Sequence, residues 1–338
     1  MSTSPLLSIC IPTYNRVQYL RECLDSVLAS ANGIEQVEVI IVDNASTDDT
    51  PDLAVQLEHS YPQIRYHRHP VNIGPENNFY ASVELARGEH VWLLGDDDKL
   101  LPHAIPSVLD HLKQGYDLLV SNFSVWTSDF SAVKLKSMMP LHDDTMFTDS
   151  NQLLTSLGIQ LSYISAVIIR RKLFLTPPRA DYDTFAEYGL AFLYTVYASV
   201  ATHCRCLYLS RPLVCNRDNP SVTEETWNKF FVIGTRRVFE RLQQIGYSSE
   251  AIRSAKDRLV RDYAFRTILG RARDGQSAWP LIRLMQPDFK THWFFWSVCV
   301  PAALTPPPLL RLATRIVRWQ RFRESPSSSP LSDNTVMR

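Results

Sequence analysis

The chain has 338 residues, 45% of them hydrophobic, and its 35 lysines and arginines balance 35 aspartates and glutamates to leave no net charge. That length supports roughly two domains, or one domain with a substantial extension, and the neutral balance excludes the basic footprint of a nucleic-acid-binding protein. Six cysteines, mostly inside apolar runs, exclude a disulfide framework, and Cys204-Arg-Cys206 has the wrong spacing for a zinc pair.

Met1-Ser-Thr-Ser-Pro5 carries no basic segment followed by an apolar one, so a secretory signal is not expected and the cytoplasm is the expected location. Leu6 to Ile11 reads as a buried strand stopped by Pro12, and apolar residues at helical spacing predict a helix over Val17 to Ser30. Val37 to Val42 is a second buried strand, closed by Asp43-Asn44-Ala-Ser-Thr-Asp48, whose polar residues also offer caps for a helix to about Glu58. A third strand, Ile64 to His67, leads through Pro70 and Gly74 into a helix over Asn77 to Ala86. His90 to Leu94 is the fourth strand, Pro102 opens a helix to Lys113, and Asp117 to Ser121 is the fifth strand. Strands alternating with helices require crossover connections, which predicts an α/β fold with a Rossmann-like, mostly parallel sheet covered on both faces.

Beyond Thr127 the alternation fails. Residues 127–150 read as a loop-rich excursion, Tyr163 to Ile169 as a strand and Ala186 to Val200 as a helix. Cys206 to Leu209 and Leu213 to Cys215 read as two short strands. Trp227 to Ile245, Ser249 to Arg273 and Ala278 to Met285 are three helix candidates in a mainly helical C-terminal extension, and the Ser/Pro-rich residues 325–338 form a tail expected to be disordered. The expected domains are 1–220, with a nucleotide-binding half over 6–121 and an acceptor half over 122–220, and a helical region over 221–324.

The chemistry-bearing residues fall at the carboxyl ends of strands, where open parallel sheets bind ligands. Gly95-Asp96-Asp97-Asp98 follows the apolar His90 to Leu94 directly. Three adjacent carboxylates are either a solvated acidic turn or a place where a cation compensates their repulsion. Pro12-Thr13-Tyr14-Asn15 sets a hydroxyl, an aromatic face and an amide at the first strand end. Tyr14 can stack on a nucleobase while Thr13 and Asn15 bond to base or ribose, or Thr13 or Asn15 serves only to cap the next helix. Asp43 can accept from a base N–H or a ribose hydroxyl. The chain has no glycine between Met1 and Asn32, so a pyrophosphate cradle of the NAD or FAD kind is not expected. A bound diphosphate would need a metal, for which Asp96 to Asp98 provide ligands.

The motifs Ser8-Ile-Cys-Ile-Pro12-Thr-Tyr-Asn15, Val39-Ile-Ile-Val-Asp43-Asn44-Ala-Ser-Thr-Asp48, Asn72-Ile-Gly74 and Ala86-Arg-Gly-Glu-His-Val-Trp-Leu-Leu-Gly-Asp-Asp-Asp98 closely resemble, in order and spacing, the family 2 glycosyltransferases of GT-A fold. Together with Asn78, the last motif most resembles the bacterial branch that builds surface polysaccharides, O-antigen or capsule, including abequosyltransferase-like enzymes. The resemblance implies an inverting transfer from a nucleotide sugar, with UDP, dTDP, CDP or GDP as the nucleotide and Mn2+ or Mg2+ as the metal. It implies that Thr13, Tyr14, Asp43 and Asp96 hold the nucleoside and that the acidic cluster carries the metal. Many members have Asp-x-Asp-Asp here. With Pro102 fixing the register, Gly95 takes the first of those places and Asp97 is the leading metal ligand, whereas a shift of one residue promotes Asp98.

Inversion requires a base to take the proton of the attacking hydroxyl. The best match to the family's base segment is Ala186-Glu187-Tyr188-Gly189-Leu190, in which a common Glu-Asp pair is Glu-Tyr, so Glu187 is the first candidate and Asp183 the second. Either is otherwise an ordinary acid at a helix N-terminus. Asn216-Arg217 resembles a segment lying over the diphosphate, which makes Arg217 a phosphate clamp or else a surface ion-pair partner. Two readings from other classes are a nucleotidyltransferase, which would normally bring a glycine- and lysine-rich loop, and an inactive sugar-nucleotide-binding module.

His292 to Leu304 is strongly apolar, but Pro301 and Pro306 to Pro308 interrupt it short of the roughly 20 residues that cross a bilayer. Leu309 to Phe322 alternates apolar residues with arginines, placing Leu312, Ile316 and Trp319 on one side. Such a helix lies on an anionic leaflet or packs on its own domain. A polyprenyl-diphosphate-linked glycan acceptor, as the resemblance implies, favours peripheral attachment at the cytoplasmic face of the inner membrane.

Overall fold

The computed structural model describes residues 4–30, 34–218, 228–289 and 292–312. The chain divides into two compact units, Met1–Lys256 and Asp257–Arg338.

A ten-stranded mixed sheet forms the centre of the first unit. β1 (Leu7–Thr13), β2 (Val37–Asp43), β3 (Ile64–Arg68) and β4 (His90–Leu93) are parallel, in the order β3-β2-β1-β4. Every residue of β1, β2 and β4 is buried, as uninterrupted apolar strands covered on both faces must be. The crossovers are α1 (Val17–Ser30), α2 (Thr50–Ser60) and α3 (Pro75–Leu85). α1 buries Leu20, Cys23, Leu24 and Val27, the stripe its helical spacing predicts. Gly74 caps α3 at φ +83°, a conformation glycine adopts without a Cβ penalty, and Pro75 follows at the first helical position, where its missing N–H costs nothing.

The chain continues through β5 (Lys99–Leu100), α4 (Ala104–Leu112), β6 (Leu118–Trp126), β7 (Val133–Leu135), β8 (Thr145–Phe147) and α5 (Ser150–Leu157). Then come β9 (Val167–Arg170), α6 (Arg171–Phe174), α7 (Arg179–Ala186), α8 (Ala191–Ser199) and β10 (Cys206–Arg217). β9 lies antiparallel between β4 and β6, so the sheet is mixed although its N-terminal half is parallel as expected.

Four expectations are corrected. The start of the expected strand from Tyr163 is a 3-10 turn over Ile164–Ala166, and only Val167 onward pairs. The two short strands around Pro212 are one strand, β10, whose register shifts on either side of that proline, where a missing N–H is tolerated. The expected helix from Ala186 to Val200 is two, because the chain turns between Ala186 and Ala191 with Gly189 at φ +69°. The excursion over 127–150 holds the short strands β7 and β8.

Trp227 lies outside the described residues. A π-helical turn, Asn228–Gly234, leads into the helix Thr235–Gln244. Helical structure runs through Ser249–Leu259, Val260–Ala264 and Phe265–Arg273, as expected for Ser249 to Arg273. The second unit continues with Trp279–Phe289, Phe295–Cys299 and Val300–Leu304, and buries Ile268, Leu281, Ile282, Met285, Phe289, Phe295 and Cys299. Of the expected helix over Leu309 to Phe322, only the part to Leu312 is described; Ile316, Trp319 and residues 325–338 lie outside the described residues. Among the described residues, no helix is long and apolar enough to cross a membrane.

Candidate active site

Parallel pairing of β1 with β2 and β4 brings the three turns at their carboxyl ends to one edge of the sheet. A cleft of about 380 Å³ opens there, lined by Pro12, Thr13, Tyr14, Asn44, Asn72, Asn78, Asp96 and Asp97 from the sequence candidates, with Arg16, Pro75, Phe79, Gly95 and Ile164. Tyr14 is 43% exposed, which leaves its ring face open to the cleft.

The first two turns are tied together by side chains. Asn15, in the left-handed region at φ +53°, donates its N–H to Ser46 Oγ at 2.9 Å and accepts from Thr47 N at 2.7 Å. It therefore does not cap α1; Asp48 accepts from Val17 N at 3.1 Å instead. Asp43 is fully buried behind the cleft, accepting from Ser46 N at 2.8 Å and Tyr66 Oη at 2.9 Å, with Arg68 Nε at 3.4 Å. Asn44 donates to Asn72 Oδ1 at 2.9 Å and accepts from Ile73 N, while Asn72 also accepts from Gly74 N, so the turn before α3 is fixed to the end of β2. Asn78 donates to Val42 O at 3.0 Å, and its buried Oδ1 has no hydrogen-bond partner. Asn78 also lines the cleft, so this orphaned acceptor belongs to a residue of its wall.

The three aspartates have three different environments. Asp96 accepts from Thr13 Oγ1 at 2.7 Å and from Arg16 Nη1 at 3.1 Å, and burial pushes its carboxyl up to about 6 against the pull of Arg16 and Thr13. Asp97 is the most open, with a quarter of its side chain exposed, and accepts from the same Arg16 nitrogen at 3.0 Å. Asp98 faces inward and accepts from Tyr163 Oη and Ser165 Oγ at 2.6 Å each, Asn216 Nδ2 at 3.1 Å and Arg217 N at 3.4 Å. Burial, helped by the charge of Asp97, raises it to about 7. With both oxygens engaged and only 2% exposure, Asp98 supports the turn and does not face the cleft, unlike the metal ligand expected of it.

The remaining pair, Asp96 and Asp97, lines the cleft and would be the acids to hold a divalent cation. Asp96 and Asp97 already hold one positive group, Arg16 Nη1, between them. Among the described residues no group of three or more His, Cys, Asp or Glu converges, so phosphate oxygens and water would complete the coordination, as Mg2+ and Mn2+ sites on nucleotides require. Sequence reasoning missed Arg16, although it directly follows the Thr13-Tyr14-Asn15 turn.

Arg217 is not free to clamp phosphate. It is buried between the rings of Tyr19 and Phe130, 4.6 and 4.3 Å from their centroids, and donates to Asp97 O at 3.1 Å, to Glu22 Oε2 at 2.9 Å and to Ser128 O. Its guanidinium holds the acidic turn by a backbone carbonyl. Glu187 is exposed at the carboxyl end of α7, not at a helix start. Asp183, one turn earlier, pairs with Arg179 at 2.7 Å. Neither lines the cleft. The turn carrying Glu187 nevertheless abuts the first turn of α3: a Cβ on Gly189 would stand 3.9 Å from Glu76 Oε1, next to the cleft residue Pro75.

Comparison with known proteins agrees with this geometry. The chain is 33% identical over 231 residues to the abequosyltransferase RfbV of Salmonella typhimurium, covering 64% of this chain and 68% of that protein. It is 30% identical over 119 residues to the GalNAc(5)-diNAcBac-PP-undecaprenol beta-1,3-glucosyltransferase of Campylobacter jejuni, covering 35% of this chain and 38% of that enzyme. Among solved structures, S. aureus TarS 1-349 in complex with UDP-GlcNAc superposes with a TM-score of 0.55 at 15% identity, over 91% of this chain and 92% of that one, which establishes the GT-A type of fold. The family model for glycosyl transferase family 2 matches residues 8–175, the segment that builds the cleft, and with a one-third-identical relative covered over two thirds of its length, the chain belongs to that family.

Proposed function

We propose that the protein transfers a sugar, with inversion, from a nucleoside-diphosphate sugar to a hydroxyl of a lipid-linked glycan in the synthesis of a bacterial surface polysaccharide. Membership of a glycosyl transferase family replaces the nucleotidyltransferase alternative. The observation that carries the reading is the meeting of Tyr14, Asn78 and the Asp96–Asp97 pair in one cleft. Tyr14 stacks on the base and Asn78 accepts from base or ribose. Asp43 acts from behind, by fixing the Ser46 turn. Asp97, with Asp96, holds the divalent cation, which when bound neutralises charge on the departing diphosphate.

The acceptor oxygen attacks the anomeric carbon, the bond from that carbon to the diphosphate oxygen breaks with its electron pair on the diphosphate, and Glu187 takes the hydroxyl proton. Glu187 is open to an incoming acceptor, and its turn lies against the helix that walls the donor cleft.

Calorimetric titration of UDP, dTDP, CDP and GDP, each with Mn2+ and with EDTA, tests this. One nucleotide should bind only with the metal, Asp97→Asn should lose that metal-dependent binding, and Glu187→Gln should keep it while losing turnover at least a hundredfold. Equal affinities with Mn2+ and EDTA would overturn the metal assignment, and full turnover by Glu187→Gln the base.

A further inference from the structure

The second unit presents an apolar surface that its own core does not use. Residues 293–310 contain no charged side chain at all. In the helical stretch through Phe295–Cys299 and Val300–Leu304, Phe295 and Cys299 point inward and are fully buried. The opposite side carries Trp293, 68% exposed, Trp296, 44% exposed, and Leu304, 62% exposed, at the spacing of one helical face. Leu309, more than half exposed, follows in the same uncharged run, and Leu312, also more than half exposed, lies just past Arg311. Soluble surfaces scatter such residues singly and intersperse charge; two exposed tryptophans and two exposed leucines along one uncharged run are a contact surface.

We propose that this face docks on an anionic lipid bilayer, with Trp293 and Trp296 at the level of the headgroups. Three observations select a bilayer. Tryptophan is the side chain that prefers a membrane–water boundary, where its ring is half solvated and its N–H is satisfied. The uncharged run ends at Arg311, and the sequence then carries Arg311, Arg315, Arg318, Arg321 and Arg323 against one acid, Glu324, a charge that complements anionic headgroups. The geometry is also that of an element lying in the interface: Phe295–Leu304 spans only about 15 Å at about 1.5 Å per residue, half of a hydrocarbon core of about 30 Å, and prolines close it. The face uses no residue of the donor cleft, so the inference goes beyond the proposed transfer reaction.

Flotation of the full chain with vesicles of 70% phosphatidylcholine and 30% phosphatidylglycerol, against pure phosphatidylcholine, tests it. Binding should require the anionic lipid, weaken with salt as arginine–headgroup attraction is screened, and fall at least tenfold in Trp293→Ser/Trp296→Ser. Both positions are exposed, so nucleotide affinity and melting temperature should not change, which separates a failure here from a failure of the transferase reading. In the unaltered chain, brominated lipid should quench tryptophan emission, and the double variant should lose that component. Equal flotation of both forms would overturn the proposal. So would vesicle-independent emission together with a smaller mass for the double variant in light scattering, which would make the face a contact between copies of the chain.

Discussion

A Cβ on Gly95 would stand 2.9 Å from Asp98 Oδ2 and 3.3 Å from both Asp97 Oδ1 and Ser165 Oγ. Gly95 is therefore what lets three carboxylates pack in one turn, and its own N–H is held by Ser165 Oγ at 2.9 Å. Gly95→Asp, which gives the Asp-x-Asp-Asp pattern expected in the register set by Pro102, should lose metal-dependent nucleotide binding by at least tenfold, because a fourth carboxylate displaces Asp98 from its partners. Improved binding in the same titration would contradict this packing. Arg217 makes a second distinction at this scale. Removing a buried guanidinium that holds a carbonyl and a partly exposed carboxylate costs about 3 kcal/mol, toward the low end for a broken buried pair because Glu22 keeps water contact. Arg217→Met should accordingly lower the urea midpoint and weaken donor binding together. A phosphate clamp would instead weaken binding with an unchanged midpoint.

At the level of elements, Glu76 links two helices. It sits in the first turn of α3, accepts from Tyr182 Oη of α7 at 3.3 Å, and is buried. Burial raises its carboxyl from 4.5 to about 7, against the pull of the Tyr182 hydroxyl and the Phe192 backbone. A carboxyl raised in the fold holds its proton there, so its contribution is fully present below pH 4.5 and is lost as the pH rises through about 7. Glu76→Gln removes that loss. The variant should match the unaltered chain at pH 4.5 and exceed it by up to about 3 kcal/mol at pH 8 in urea unfolding, and parallel pH profiles would refute the assignment. The elements also show what the sequence could convey. β1, β2 and α1 were legible because burial on both faces and the 3.6-residue stripe are local patterns. The antiparallel entry of β9 was not, since strand direction is set by partners 47 to 80 residues away. The break between α7 and α8 was hidden because Ala186, Leu190 and Leu193 keep a helical rhythm across it. In the cleft, Thr13, Tyr14, Asn44, Asp96 and Asp97 were readable as motif residues at strand ends, and Asn78 as a residue of the helix that follows Gly74. The inward turn of Asp98 and the burial of Arg217 depend on Tyr163, Ser165, Tyr19, Glu22 and Phe130, which no local spacing connects.

For the molecule as a whole, the division at Lys256 sets where ligand energy is delivered. All cleft residues belong to Met1–Lys256, and they come from four segments, residues 12–16, 44, 72–79 and 95–97, joined with Ile164. Their cross-links, Thr13 to Asp96, Asn15 to Thr47 and Asn44 to Asn72, make these turns one mechanical body, so a nucleotide held at any of them stabilises all. A ligand present at about a hundred times its Kd adds about 2.7 kcal/mol to the state that binds it. Hydrogen exchange with saturating nucleoside diphosphate and Mn2+ should therefore slow amides at residues 13–17, 44–50, 72–79 and 94–98 together, by up to roughly a hundredfold where opening is limited by global unfolding of that unit. Amides of 257–289 and 292–312 should exchange as before, because that unit contributes nothing to the cleft. Protection confined to the acidic turn would mean that the four segments respond independently, and the cross-links would then be features of packing alone. Equal protection in both units would mean that they unfold as one, and the exposed aromatic surface of the second unit would share the stability that the donor supplies.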